Sequence, residues 1–168
     1  MISITERPRV AAAPWTPAKA VLVGGLIAGA CDMAYALLWF AGVKHAPWMK
    51  IPQSVAGGLL GKASFDGGAS TVVLGFALHW SIALIWAAIY VYAARRFLPD
   101  LLRKPIPYGF AYGAWIYFFM NWVVLPLDAM HTKPHFAPLD TWLTGLAVHV
   151  FGIGLAISLS AAKTAPLA

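Results

Sequence analysis

Four apolar runs, roughly 18–42, 70–93, 106–127 and 139–162, constrain this chain more than any other feature in it. Each is about 22 to 25 residues long, enough at about 1.5 Å per residue to cross a hydrocarbon layer of about 30 Å. Lipid offers the backbone no hydrogen-bond partner, so such a run is a helix unless a barrel closes. Hydrophobicity that is continuous rather than alternating rules against a barrel. With 61% hydrophobic and 11% charged residues, the chain also has too little polar surface for a water-soluble globule of 168 residues. The expected fold is all-α, a single integral membrane domain over 1–168 built as a four-helix bundle.

Basic residues orient it. Arg7, Arg9, Lys19, Arg95, Arg96, Arg103, Lys104 and Lys163 fall on the side that carries both termini, and Lys44, Lys50, Lys62 and Lys133 fall on the other. Eight against four places both termini in the cytoplasm. The net charge of +6 is then explained by basic loops beside anionic lipid. Nothing interleaves basic and aromatic residues as a nucleic-acid groove requires. Trp15, Trp39, Trp48, Trp122 and Trp142 stand near the run ends, where an amphipathic ring anchors at the interface.

The connection between the first two runs, Gly42 to Ala69, is the least ordinary. Pro52 and Ser54 suit a helix start, and Val55, Leu59 and Leu60 form a short apolar face, so an additional interfacial helix is expected there. The glycines at 57, 58, 61, 67 and 68 also permit a re-entrant turn or an irregular loop. Ala28-Gly29-Ala30-Cys31 has the small residues of a cleavage site, but the run continues past Cys31 and a long tail precedes it, which argues against a signal peptide. The lone Cys31 reads as a small buried side chain.

Asp32, His79, Asn121 and His149 each interrupt a different run. Gly25, Gly29 and Asp32 share one helix face, and Gly145, His149, Gly152 and Ala156 form a stripe in the last run, so the polar groups lie along faces where small residues let helices approach. Asp32, His79 and His149 sit near mid-membrane depth, while Asn121 lies nearer the outer end. Ionisable groups at such depth face protein or a water-filled cavity and are a site hypothesis by default.

That layer of four admits several chemistries. The first reading is a buried polar network that fixes helix packing in a non-enzymatic accessory or self-associating membrane component. The alternative is a haem, metal or proton-handling protein using Asp32, His79 and His149. Here His79 and His149 would bind a cofactor as axial ligands of a b-type haem, or join Asp32 on a transition metal, or the Asp–His pair would pass protons. Lipid or quinone binding is a further possibility, and no cofactor is favoured. The expected partners are membrane lipid and a second copy or larger membrane complex. Outside the runs, His131, His135 and Asp128 lack the helical spacing of a metal site, because Lys133 and Pro134 intervene. No nucleophile elbow or HExxH pattern supports a hydrolase.

Leu78-His79-Trp80-Ser81-Ile82, Met120-Asn121-Trp122-Val123-Val124-Leu125-Pro126-Leu127 and Gly145-Leu146-Ala147-Val148-His149-Val150-Phe151 together resemble the poorly characterised YagU-like bacterial inner-membrane proteins. The resemblance spans residues 20 to 160. It implies a multi-span inner-membrane fold and histidines corresponding to His79 and His149, with no defined activity. That family often has a histidine where this chain has Asn121, so a three-histidine metal site is not available here.

The charge bias makes a direct prediction. A cysteine introduced at Lys104 will be labelled by a membrane-impermeant maleimide only from the cytoplasmic side, and one at Lys133 only from the outer side. The opposite pattern would overturn the orientation and leave the four spans standing.

Overall fold

The computed structural model describes residues 13–134, 136 and 138–165, and among these every regular element is helical. Four helices are long and apolar enough to cross a membrane: span one, Pro17–Val43, span two, Gly68–Arg96, span three, Pro105–Leu127, and span four, Leu139–Ala162. They overrun the apolar runs by one to three residues at most ends, because helical hydrogen bonding continues into polar flanks such as Arg95 and Arg96. Thr16 begins span one by accepting the Lys19 N–H at 3.2 Å, with Pro17 in the first turn. Large apolar side chains such as Leu22, Leu26, Val73, Ile85, Phe118 and Phe151 face outward, while the interior is rich in Ala20, Ala28, Ala87, Ala94 and Ala161. This outward display of bulk is what a lipid environment requires of a bundle.

Spans one, four and three meet through glycine. A Cβ at Gly25 or Gly29 would press on Leu84 or Trp80 of span two, and one at Gly24 would lie 3.0 Å from Ser160 Cβ of span four. Gly113 abuts the His149 carbonyl and Gly154 the Gly109 carbonyl, so spans three and four touch backbone to backbone. Spans two and three are instead held apart by rings: Trp86 meets Tyr112, Trp115 and Phe119 edge-on, and the Tyr112 hydroxyl donates to the Trp86 carbonyl at 2.8 Å.

At the end bearing the termini, the Trp15 N–H donates to the Lys163 carbonyl at 2.8 Å and the Arg95 guanidinium to the Thr164 carbonyl at 3.0 Å. At the opposite, capped end, Lys44 pairs with Asp140 at 2.6 Å, the Trp39 indole donates to Thr141, and the Tyr35 hydroxyl bonds Thr144. Arg7 and Arg9, which contribute to the expected charge bias, lie outside the described residues.

The expected short helix is present as Lys50–Leu60, followed by a tight 3-10 turn, Gly61–Asp66. It starts two residues before Pro52, which is tolerated in a first turn where its missing N–H has no intrahelical duty. Gln53, buried, donates to the Gly68 carbonyl and Thr71 hydroxyl at 3.2 Å each and so ties this helix to the start of span two. The Pro52 carbonyl occupies the space beside Gly75. On the other flank, the Ala129 N–H donates to the Gly58 carbonyl at 3.0 Å, joining the helix to the turn after span three.

Three spans contain a π-helical segment: Leu37–Val43, Met120–Val124 and His149–Gly154. Each widens the turn, and helical faces drawn at 100° per residue drift across it. The last-run stripe is therefore divided. Gly145 faces Tyr117 of span three, whereas Gly152 faces Cys31 of span one. In span three the widened segment precedes Pro126, which cannot donate to the carbonyl four residues back.

Gly75 and Gly42 make an internal contrast. Gly75→Val must displace the Pro52 carbonyl and will lower thermal stability in detergent by the equivalent of about 1–3 kcal/mol, the usual cost of overpacking, with the short helix becoming protease-sensitive. Gly42→Ala, where a Cβ meets nothing within 4 Å, will leave both readouts unchanged.

Candidate functional site

Because spans two and three are spaced by aromatics at one end, the bundle opens towards the other. There it encloses a cavity of about 610 Å³ beneath the short helix. All four spans line it, and so do Ser54, Val55, Gly58 and Leu59 of the short helix and Asp128, Met130 and Thr132 of the turn after span three. Trp86 and Ile116 lie on the aromatic side, and apolar groups make up most of the wall. Volume and lining are those of a small-molecule pocket.

Asp32, His79, Asn121 and His149 all border this one cavity, each half-buried. They do not bond to one another as a clasp would. His79 Nε2 lies 2.9 Å from the Gly29 carbonyl of span one. A carbonyl only accepts, so Nε2 carries the proton, and the Nδ1 of a neutral ring is a lone pair. That Nδ1 stands 4.0 Å from the Asp32 carboxylate, too far for a direct hydrogen bond. His149 Nδ1 donates to the Gly145 carbonyl of its own helix at 2.9 Å, leaving Nε2 as an acceptor. Asn121 donates to the Tyr117 carbonyl, also in its own helix, at 2.9 Å. The His79–Gly29 bond thus links two spans, whereas those of His149 and Asn121 link none.

Two of the four residues lie in π segments. Asn121 belongs to the widened part of span three and His149 begins that of span four. From regular 100° spacing, Asn121 lies about 80° away from the Gly113 face; in the structure Gly113 packs on span four while Asn121 borders the cavity. Among the described residues, no three His, Cys, Asp or Glu side chains stand close enough to hold a metal ion. As axial haem ligands the two histidines fit poorly, since His79 Nε2 is committed to Gly29 and the free nitrogen, Nδ1, faces Asp32.

Residues that the sequence reading set outside the polar layer also belong to the site. Asp128 accepts the backbone N–H groups of Met130 and His131 at 2.8 and 3.1 Å, which shapes the turn that covers the cavity. Its position after Pro126 is the signal for such a turn. His131 turns back to the Pro126 carbonyl with a positive φ of 51°, and His135 lies outside the described residues. The polar stitching between spans one and four comes from Tyr35, Trp39, Lys44, Asp140, Thr141 and Thr144 at the capped end. It does not come from the central layer.

The bonding pattern ranks two substitutions. His79→Leu removes an inter-span hydrogen bond and will lower thermal stability by the equivalent of about 1 kcal/mol. His149→Leu removes an intrahelical one and will cost less. Equal losses, or a larger loss for His149→Leu, would return His149 to a packing role.

No family model matches this chain, and no curated protein or solved structure matches it, so its functional reading rests on the cavity itself.

Proposed function

We propose that this multi-pass membrane protein is a non-enzymatic binding component that holds a small amphipathic molecule in its intramembrane cavity, with Asp32 and His79 as the polar anchor. One observation carries the reading: the Asp32 carboxylate and the His79 Nδ1 face each other at 4.0 Å on a mostly apolar wall, and neither has a hydrogen-bond partner among the described residues. A carboxylate at that depth is costly unless a proton, water or ligand group satisfies it. A purely structural clasp accounts less well for the layer, because Asn121 and His149 bond within their own helices and the spans are stitched at both ends by other groups.

Proton exchange by the pair is compatible with this role. The groups bordering it are His149 from span four, Asn121 and the more distant Asp128 from span three and its turn, and Ser54 from the short helix. Location in a bacterial inner membrane with cytoplasmic termini, kinship with YagU-like proteins and assembly with a second copy belong to the same proposal. The basic-residue bias and the resemblance support the first two.

Val55 provides the test, since it borders the cavity from the short helix. Mild-detergent extraction followed by native mass spectrometry will show a co-purifying small molecule on the wild type. Val55→Trp, which fills the space, will reduce its occupancy at least tenfold while the protein stays monodisperse. Identical occupancy in the two, or none on the wild type, would overturn the binding role.

A further inference from the structure

Most of the polar atoms that the cavity leaves free are acceptors, the Thr132 hydroxyl and one Asn121 N–H being the donors among the described residues. Asp32 offers both carboxylate oxygens, and neutral His79 offers Nδ1, its Nε2–H being held by the Gly29 carbonyl. Neutral His149 offers Nε2, its Nδ1–H being held by the Gly145 carbonyl. Asn121 adds its side-chain oxygen and keeps one N–H, the other being given to Tyr117. The Ser54 hydroxyl is turned away to the Ile51 carbonyl at 2.7 Å. Two carboxylates, Asp32 and Asp128, border the space, and among the described residues no lysine or arginine does. In a chain of net charge +6, this mostly apolar cavity is therefore acidic and has few donors.

We infer that the occupant is a lipophilic ammonium ion, whose N–H groups bridge Asp32 and His79 while its apolar body lies against the wall beside Ile82, Trp86, Ile116 and Met120. This rests on the binding role proposed above and names its ligand class. The spacing suits it. Two acceptors 4.0 Å apart are both reached at about 2.9 Å by one tetrahedral nitrogen donating two hydrogens. The charge suits it too, because a carboxylate inside a membrane with no lysine or arginine beside it among the described residues is stabilised by a cation brought from outside. A carboxylate or phosphate ligand would meet mostly acceptors and like charge. A cavity of about 610 Å³ takes a ring-sized body with room to spare.

The test is calorimetry on the full chain in detergent, with protein-free micelles subtracted, using 2-(2-naphthyl)ethylammonium, its neutral alcohol analogue and 2-naphthaleneacetate. The ammonium is expected to bind at least tenfold more tightly than the carboxylate. Asp32→Asn, nearly isosteric, will weaken the ammonium at least tenfold and leave the alcohol within twofold. Asp66→Asn, an exposed acid remote from the cavity, will change nothing. If Asp32→Asn binds the ammonium as well as the wild type, or the carboxylate binds as tightly as the ammonium, the ammonium assignment falls while the cavity's binding role stands. If none of the three binds the folded protein, both fall. Repeating the titration in phosphatidylglycerol nanodiscs, with and without phosphatidylethanolamine, separates the two sources of this chemistry. Competition by the second lipid identifies its headgroup as the resident ammonium, and undiminished binding identifies a soluble amine.

Discussion

Contact between glycine backbones on one side of the bundle, set against bulky rings on the other, is the asymmetry from which the rest of this structure follows. Gly109, Gly113 and Gly154 bring spans three and four to backbone contact, and Gly24, Gly25 and Gly29 draw span one onto its two neighbours. In lipid no hydrophobic drive pulls helices together, so close packing decides which faces meet. Trp86, Tyr112, Trp115 and Phe119 cannot pack so closely. Where they are succeeded by smaller groups towards the capped end, the same four helices enclose space instead of filling it.

That space is rich in acceptors, from its two carboxylates and from the way its histidines are bonded. Each has one nitrogen bound to a backbone carbonyl, which selects the tautomer and turns the other nitrogen into an acceptor. In their neutral form both rings therefore present lone pairs to the space that Asp32 borders. The short helix and the Asp128 turn are tied to each other through Gly58 and Ala129, and they cover this space as one unit. Buried Gln53 secures the unit to span two.

Regular helical spacing carried much of the layout and failed at identifiable points. The Gly25, Gly29 and Asp32 face of span one meets span two as its periodicity implies, because Pro17–Ala36 is an undisturbed α-helix. The stripe from Gly145 to Ala156 does not stay on one face, because a six-residue π segment, His149–Gly154, interrupts it. No residue pattern announces such a segment. It arises where neighbouring helices and side chains favour a wider turn, and that is a matter of packing rather than propensity.

The sequence by itself determined the four spans, the short helix between the first two and the four polar residues that interrupt the spans. Run length, backbone satisfaction in lipid and the cost of burying charge are all local properties of a chain segment. Only the tertiary structure decided that Asp32, His79, Asn121 and His149 border one cavity without bonding to one another, which nitrogen of each histidine is free, and what covers them. Those features depend on helix rotation, on the π segments and on carbonyls supplied by neighbouring turns and spans. A one-dimensional pattern does not encode them, because a side chain's hydrogen-bond partner is set by which backbone reaches it first.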